Sequence, residues 1–446
     1  MITTVNPATG RPLETYAYTA PEDLDRVLDS ALAAVSDEDR VKALRRLANL
    51  LRNRAAEHAL LITTEMGKPL RESLAEIEKC AFACDYYADR LPALRTPRQV
   101  PVPPDTARVE ITPLGVVLAI MPWNYPFWQV IRSMVPVVAI GGAVVLKHAD
   151  NVSGCARAVQ GLFDEAFGTG TLSSVRLPPD RIGALIDDPR VAAVAFTGSN
   201  KVGALVGARA GAAVKKTVLE LGGSDPFLVL SDADIPAAAA AAVRSRFLNT
   251  GQSCIAAKRL IVHQDVADEF IDAVVAGVEG LVVGDPADPG TDLGPMARAD
   301  LRDELHQQLT TAVGAGARLL TGGRPDSRPG AWFQPTVIEV PDPGDITFRE
   351  ETFGPLGAIL RVPTDAEAIA VANASRYGLS GSVWTADPGR AEAVTAQLRV
   401  GSVFVNRISE SDPRLPVGGV KASGHGRELG TAGVLEFANL KTIRAA

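Results

Sequence analysis

Short apolar runs alternate with helix-compatible stretches along most of the chain, and this alternation limits the fold more than any other feature. One set of runs lies at residues 115–121, 143–147, 191–196 and 226–230, and a second set lies at 259–263, 358–362, 381–385 and 401–405. Each run is bounded by Gly, Pro or Asp, and such alternation is typical of parallel β-α-β units. The sequence therefore predicts an α/β fold with two parallel-sheet layers in series.

Two further segments flank the first set of runs. Residues 21–90 carry apolar positions at helical spacing and predict two or three amphipathic helices. Residues 97–113 mix prolines with alternating valines and isoleucine, which favours an exposed hairpin or arm over a core element. We expect this arm to meet another subunit.

Length, charge and cysteine content exclude several classes of protein. A chain of 446 residues has room for two or three domains, and its net charge of −7 has the wrong sign for a protein that mainly binds nucleic acid. The apolar stretch 134–146 is interrupted by Pro136, Gly141 and Gly142, so it predicts buried core and no membrane span. The N-terminus lacks the pattern of a secretory signal, and four cysteines without metal-ligand spacing fit the cytoplasm and predict no metal site.

Two residues stand out as candidates for chemistry. Cys254 follows the polar stretch Asn249-Thr250-Gly251-Gln252-Ser253, where an inert core thiol would be unusual. Glu220 lies in an apolar sequence, and its burial would raise its pKa toward the range of a general base. Taken singly, Cys254 is a nucleophile or a packed thiol, and Glu220 is a base or a salt-bridged structural carboxylate.

No G-x-G-x-x-G fingerprint is present, so a dinucleotide site is not predicted from that motif. A strand at 191–196 instead turns at Thr197-Gly198 into a helix whose free N–H groups could hold a phosphate. An ordinary strand-to-helix turn explains the same segment equally well.

Six motifs in order make the chain resemble the NAD(P)-dependent aldehyde dehydrogenases over nearly its whole length. They are Pro122-Trp123-Asn124-Tyr125-Pro126, Leu146-Lys147-His148-Ala149, Phe196-Thr197-Gly198-Ser199, Glu220-Leu221-Gly222-Gly223, Gly251-Gln252-Ser253-Cys254 and Glu351-Thr352-Phe353-Gly354-Pro355. Their joint order and spacing are highly specific, because independent accidents would not fall in family order.

The resemblance implies a role for each matching residue. Cys254 would be the nucleophile, Glu220 the general base, and the Asn124 side chain with the Cys254 backbone N–H the donors to the oxyanion. The aldehyde would pass through a thiohemiacetal, lose a hydride to the nicotinamide, and leave as an acid after hydrolysis of a thioester. The cofactor would be held by Pro122, Trp123, Lys147, Asp150, Gly198, Ser199, Leu221, Glu351 and Phe353.

The chain is most similar to a short branch of succinate-semialdehyde dehydrogenases, which implies Trp128, Arg132 and Ser411 as substrate-binding residues. Asn124, Trp128 and Arg132 are four residues apart, so a helix starting near Pro126 would place the last two along one face. Arg132 could then grip a distal carboxylate, or it could form a structural ion pair instead. Leu248 departs from longer relatives with this activity, which carry a second Arg there.

Asp150 bears on the choice of cofactor. A carboxylate there can accept hydrogen bonds from both ribose hydroxyls but would repel a 2′-phosphate. We expect NAD to be preferred, with NADP possible.

Alternative functions remain in view. A general aliphatic or aromatic aldehyde dehydrogenase would lack carboxylate specificity, and a coenzyme-A-acylating relative would be expected to lack Glu220. A thiol hydrolase would need a histidine base in a suitable motif, which none of the five histidines provides. A non-catalytic structural or binding protein would be expected to have lost Cys254 or Glu220.

The resemblance also implies a domain plan. Two Rossmann-like parallel-sheet domains would comprise an NAD(P)-binding domain at 1–97 and 114–223 and a catalytic domain at 224–418. A small β oligomerisation arm would be formed by 98–113 and 428–446, whose edges suit pairing in a homodimer or homotetramer.

Overall fold

The computed structural model describes residues 1–36, 38–324 and 326–446. The helices are α1 (Pro21–Ala34), α2 (Val41–Asn53), α3 (Ala55–Met66), α4 (Leu70–Arg95), α5 (Trp128–Ala139), α6 (Ser153–Phe167), α7 (Pro179–Asp187), α8 (Asn200–Ala212), α9 (Ile235–Phe247), α10 (Gln264–Glu279), α11 (Ala299–Gly314), α12 (Ile346–Arg349), α13 (Asp365–Ala374), α14 (Pro388–Thr395) and α15 (Gly430–Glu436). Residues 21–90 thus contain α1 to α3 and most of α4, where the periodicity predicts only two or three helices.

The strands alternate with these helices. They are β1 (Ile2–Val5), β2 (Pro12–Tyr16), β3 (Arg98–Val102), β4 (Asp105–Pro113), β5 (Val116–Met121), β6 (Ala143–His148), β7 (Leu172–Ser174), β8 (Val191–Thr197), β9 (Lys216–Glu220), β10 (Asp225–Val229), β11 (Ala257–His263), β12 (Arg318–Thr321), β13 (Thr336–Glu339), β14 (Leu356–Val362), β15 (Ser380–Trp384), β16 (Ser402–Val405), β17 (Gly424–His425) and β18 (Ala438–Ala445). Every apolar run that predicted a strand overlaps one of them.

The first large sheet has the order β17-β9-β8-β5-β6-β7 and is parallel except for β17. The chain moves outward from β5 to β6 and β7, then returns to form β8 and β9 on the other side. A crevice opens at such a reversal, beyond the carboxyl ends of the two central strands. In this sheet those ends are Met121 of β5 and Thr197 of β8.

The second large sheet has the order β12-β13-β14-β11-β10-β15-β16 and is parallel except for β12. The predicted α/β fold with two parallel-sheet layers is therefore confirmed, with an antiparallel strand at one edge of each layer. The run 226–230, predicted with the first set, instead forms β10 of the second sheet. The predicted domain boundaries stay a prediction.

Apolar packing on both faces holds the first sheet in place. Every residue of β5 and β6 is buried, as expected for parallel strands covered by helices. Side chains from α2, α4, α5 and α6 form one core against it, and side chains from α1, α7 and α8 form another. The apolar stretch 134–146 lies inside this core, as predicted.

In the described part of the chain, no helix combines the length and apolarity needed to cross a membrane.

The predicted arm is a hairpin. Strands β3 and β4 pair in antiparallel fashion, and β18 pairs with β4 along its whole length, from Ala438 opposite Pro113 to Ala445 opposite Thr106. The terminal segment and the hairpin thus form one small antiparallel sheet, whose outer strands are β3 and β18.

Candidate active site

A cavity of about 630 Å³ lies at the carboxyl ends of β5 and β8. This volume is within the range of small-molecule and cofactor sites. Its walls include most of the residues predicted to bind the cofactor or act in catalysis: Pro122, Trp123, Asn124, Gly198, Ser199, Glu220, Leu221, Cys254, Glu351 and Phe353. The rings of Trp123 and Phe353 meet edge-on with centroids 5.7 Å apart. Residues separated by more than 200 positions in sequence are thereby brought together.

The loop that carries Cys254 has an unusual backbone. Asn249, Thr250 and Gly251 have φ angles of 56°, 53° and 71°, in the left-handed region that L residues rarely occupy. At Gly251 a Cβ would also come within 2.3 Å of the Gly354 carbonyl oxygen, so only glycine fits there. Non-glycine residues in this region persist only where the surroundings hold them, and such places cluster at functional sites.

Asn249 is the residue that holds this loop to the first sheet. Its Nδ2 donates to the backbone oxygens of Asn124 at 2.8 Å and of Gln252 at 3.0 Å. Its own backbone N–H donates to the Glu72 carboxylate at 2.8 Å. The thiol loop and the Asn124 turn are therefore joined by direct hydrogen bonds.

The side-chain amide of Asn124 is buried, and hydrogen bonds to both its nitrogen and its oxygen fix its orientation. Nδ2 donates to the Gln252 carbonyl at 3.1 Å, and Oδ1 accepts from Nε2 of Gln129 at 3.2 Å. An amide nitrogen has two hydrogens, so one remains to donate to another acceptor. Because Asn124 and Cys254 line the same cavity, that acceptor can be an oxygen on a carbon bound to the thiol.

The helix that follows Asn124 begins later than predicted. Helix α5 starts at Trp128, two residues beyond Pro126, and the backbone N–H groups of Phe127 and Trp128 donate to the Glu76 carboxylate at 2.8 and 2.9 Å. A carboxylate at a helix N-terminus satisfies donors that have no partner in the helix. This cap fixes the direction in which α5 leaves the site.

Glu220 ends β9 and is buried. Burial raises the pKa of its carboxyl group above the usual range, and the nearby Glu428 carboxylate raises it further, while Arg132 lowers it. Within the described residues, Oε1 of Glu220 has no hydrogen-bond partner. A buried carboxyl group with a raised pKa and a free oxygen is suited to accept a proton near neutral pH.

The thiol of Cys254 is only partly accessible. Burial raises its pKa to about 11, and the positive charges of Arg132 and Lys258 oppose this shift. The thiol therefore carries its proton near neutral pH, and it would have to lose that proton to act as a nucleophile. Glu220 lines the same two cavities as Cys254, so a candidate base lies beside the thiol.

Lys258 was not predicted from the sequence, although two adjacent cations, Lys258 and Arg259, stand directly before the apolar run Leu260-Ile261-Val262. It is fully buried, and its Nζ donates to the carbonyl oxygens of Ser253 at 2.8 Å and of Cys254 at 2.7 Å. The same nitrogen lies 3.0 Å from Oε1 of Glu351. Lys258 thus connects the backbone of the thiol loop to a residue predicted to bind the cofactor.

Gly222 and Gly223, which follow Glu220-Leu221, let this segment lie close to the thiol loop and to Glu351. A Cβ on Gly223 would lie 2.4 Å from the Cys254 carbonyl oxygen, and a Cβ on Gly222 would lie 2.5 Å from Oε2 of Glu351. The backbone N–H of Gly223 also donates to Oε1 of Glu351 at 3.1 Å. Side chains at these two positions would push the three segments apart.

The remaining cofactor candidates lie beside the main cavity. Lys147 lies near the carboxyl end of β6. Its Nζ forms an ion pair with Oδ1 of Asp150 at 2.7 Å. Neither residue is among the described residues that line the cavity. Ser199 caps α8 by accepting from the Val202 N–H, so the N-terminus of that helix faces the cavity beside Gly198. A helix N-terminus attracts phosphate, so the residues present fit a dinucleotide.

A second, smaller cavity lies on the other side of the thiol. Cys254 and Glu220 line both cavities, and the smaller one also includes Arg132 and Ser411. Trp128 is connected to it, because its indole N–H donates to Oγ of Ser411 at 3.2 Å. All three predicted substrate-binding residues are therefore close to one another, and two of them share a cavity wall with the thiol.

Two charged residues near this cavity were not predicted from the sequence as site residues. Glu428 forms an ion pair with Arg132, with 2.5 Å between Oε2 and Nε. Lys79, on α4, donates from Nζ to Oγ of Ser411 at 2.8 Å. Neither lies in a motif that carries the resemblance at the thiol, so only the folded chain reveals their positions.

Comparison with known proteins extends over the whole chain. A sequence model described as "Aldehyde dehydrogenase family" matches residues 1–443. A protein of Escherichia coli (strain K12), named succinate semialdehyde dehydrogenase (NAD(P)+) Sad, is 45% identical over 98% of this chain and 96% of its own length. One from Mycobacterium tuberculosis (strain H37Rv), named succinate-semialdehyde dehydrogenase (NADP+) 1, is 41% identical over 99% of both chains.

Solved structures agree in fold. The crystal structure of succinic semialdehyde dehydrogenase from Streptococcus pyogenes, in complex with NADP+, superposes with a TM-score of 0.97 at 34% identity over 99% of both chains. The structure of the protein Gox0499 gives a TM-score of 0.97 at 38% identity and covers 100% of both chains. The likeness in sequence and in fold therefore covers the same full length.

Proposed function

Since this chain belongs to the aldehyde dehydrogenase family and oxidises an aldehyde to its acid with NAD(P), we propose that its aldehyde is succinate semialdehyde and its product succinate. One observation carries the proposal. The small cavity beside Cys254 contains both a guanidinium group, from Arg132, and a hydroxyl group, from Ser411. Relatives that are 40–45% identical over the full chain carry names that include this substrate.

The first half of the proposed reaction takes place at Cys254. The Cys254 thiol gives its proton to solvent water, Sγ attacks the aldehyde carbon, and the carbonyl oxygen becomes a thiohemiacetal alkoxide. The free N–H of the Asn124 amide and the backbone N–H of Cys254 stabilise this charge. The bound cofactor supplies a hydride acceptor. Loss of the hydride, with its electron pair, leaves an acyl thioester on Cys254.

The second half is hydrolysis of that thioester. The Glu220 carboxylate takes a proton from water, the water oxygen adds to the acyl carbon, and the C–S bond breaks. The proton held by Glu220 passes to the leaving sulfur, so the acid and the thiol are released. The raised pKa of Glu220 and its free Oε1 support this role, because the group can hold and give up a proton near neutral pH. Its position on the walls of both cavities supports access to the acyl carbon.

Arg132 and Ser411 would bind the distal carboxylate of the substrate. Nε of Arg132 pairs with Glu428, but among the described residues its buried Nη2 has no hydrogen-bond partner. Buried donors without partners are costly, and a ligand carboxylate would satisfy them. A general aldehyde dehydrogenase would need this guanidinium only as the ion-pair partner of Glu428.

A steady-state comparison of aldehydes tests the proposal. We expect kcat/KM for succinate semialdehyde to exceed that for butanal, which has the same chain length without a carboxylate, by about tenfold or more. Hexanal and benzaldehyde extend the comparison to general aliphatic and aromatic substrates. A wild-type enzyme that prefers an uncharged aldehyde would reject the assignment and leave a general aldehyde dehydrogenase.

We also propose that NAD is preferred over NADP. Asp150 is partly exposed and paired with Lys147, so it presents a negative charge where a ribose would lie if Lys147 binds the adenosine half. A carboxylate in that position disfavours a 2′-phosphate. Several relatives are named for NADP+, so this preference would set the chain apart from them.

The oligomeric state and the compartment complete the proposal. A homodimer or homotetramer is supported by the small sheet β3-β4-β18, whose two outer strands have edges free for pairing within the described chain. The cytoplasm is supported by four cysteines that are all free thiols. Light scattering on the purified protein tests the first point, with a monomer as the contradicting result.

A further inference from the structure

Lys79 places a second cation against Ser411, a residue that lines the small cavity. Its Nζ is 2.8 Å from Oγ of Ser411 and lies over the Trp128 ring, 4.7 Å from the centroid. Ser411 in turn shares the wall of the small cavity with Cys254. We propose that the Lys79 ammonium group, together with the Ser411 hydroxyl, is the principal contact for the distal carboxylate of the substrate. The inference rests on the proposed function, because it names the residue that recognises the substrate's charge.

The charges around Lys79 leave it without an ion-pair partner. The carboxylates whose negative charges act on Lys79 are Glu410 and Asp412, from the loop after β16. Glu410 is paired with Arg407 at 2.9 Å, and Asp412 with Arg414 at 2.6 Å. Among the residues that the structure describes, no carboxylate lies within ion-pair distance of the Lys79 ammonium. A partly buried ammonium group without a counter-charge is costly, and an incoming carboxylate removes that cost.

Arg132 is the alternative cation, but its charge is already balanced. Its Nε lies 2.5 Å from Oε2 of Glu428, and its Nη2 lies 3.8 Å from Oε2 of Glu220. Burial and the positive charge of Arg132 lower the pKa of Lys79 to about 8, so the ammonium form still prevails at neutral pH. The uncompensated positive charge at this end of the cavity therefore belongs to Lys79.

The hydrogen bonds of Ser411 favour the same arrangement. Its Oγ accepts from Lys79 Nζ and from the Trp128 indole N–H, which leaves its own hydrogen free to donate. A carboxylate can take that hydrogen on one oxygen and an ammonium hydrogen on the other. Succinate semialdehyde carries such a group at the end remote from its aldehyde, whereas butanal carries none.

Two uncharged variants test the proposal. Lys79→Met removes the ammonium group at similar length, and Lys79→Gln keeps a hydrogen-bond donor without the charge. For both we expect the ratio of kcat/KM for succinate semialdehyde to kcat/KM for butanal to fall by about tenfold to a hundredfold, mainly through KM. The inhibition constant for succinate, measured against aldehyde, should rise by a similar factor. Lys42→Met, which removes an exposed lysine on α2, is the matched control and should leave the ratio unchanged.

Thermal unfolding and NAD(P) binding identify variants that fold. A folded variant whose substrate ratio and succinate inhibition stay within about twofold of wild type overturns the role of Lys79. If the wild type still prefers succinate semialdehyde, that result leaves the proposed function standing. A wild type that prefers butanal rejects the proposed function itself and the inference with it.

Discussion

Nε of Arg132 lies 2.5 Å from Oε2 of Glu428, and both side chains are buried near the carboxyl group of Glu220. The two residues act on Glu220 in opposite directions. Glu428 raises the pKa of the Glu220 carboxyl group, and Arg132 lowers it. Any change to one partner therefore alters the base as well as the substrate cavity.

Replacing Arg132 should damage both functions at once. In Arg132→Met, kcat/KM for succinate semialdehyde should fall by roughly 1.5–3 kcal/mol if a charged hydrogen bond is lost. Butanal should also lose activity, because Glu428 is left unpaired and raises the pKa of Glu220 further. Steady-state kinetics with both aldehydes measures the two losses, and an unchanged rate for butanal would contradict the coupling to Glu220.

Glu428→Gln should shift the pH dependence of turnover. Removing the negative charge lowers the pKa of Glu220, so its carboxylate form is present at lower pH. The acid limb of the kcat profile should therefore move toward lower pH. The profile is measured with butanal, so that recognition of a carboxylate does not enter. An acid limb that stays in place would separate Glu428 from the titration of the base.

The contact between Gly223 and the thiol loop predicts a steric effect. In Gly223→Ala the new Cβ would meet the Cys254 carbonyl oxygen at 2.4 Å, and a backbone atom cannot move aside easily. We expect the free energy of unfolding to fall by about 1–3 kcal/mol and turnover to fall with it. Gly211→Ala in α8, where a Cβ meets nothing within 4 Å, is the matched control and should be neutral or stabilising. Equal stability of the two variants would rule out the close approach.

Asp150→Ser tests the cofactor preference. Without the carboxylate, Lys147 remains as the charge nearest the expected ribose, so kcat/KM with NADP relative to NAD should rise by about fivefold. The ratio is obtained from steady-state kinetics at a saturating aldehyde concentration. An unchanged ratio would place Asp150 away from the ribose.

The sequence predicted most of the fold because parallel strands are short apolar runs with clear boundaries. The runs around Val191–Thr197 and Ala257–His263 correspond to β8 and β11 within two residues. The number of helices between residues 21 and 90 was wrong, because the sequence carries no strong stop signal between α2 and α3. Only Arg54 separates these two helices.

The candidate site could be predicted where its residues lie in contiguous motifs. Lys79 and Glu428 were missed for a physical reason, since each acts through a contact across a long stretch of chain. Lys258 was missed although its hydrogen bonds reach the nearby carbonyls of Ser253 and Cys254. Lys79 reaches Ser411 over 332 positions. A charged side chain at helical spacing is usually solvated, so sequence alone offers no reason to place it in a cavity.

The most direct test of the whole account is the mass of Glu220→Gln after mixing with succinate semialdehyde and NAD. Without its base the enzyme should form the thioester and fail to hydrolyse it, while a burst of reduced cofactor appears. Intact-protein and peptide mass spectrometry should then find one succinyl group, located on Cys254 and absent from Cys254→Ala. A burst without any adduct, or a succinyl group on another residue, would contradict the account.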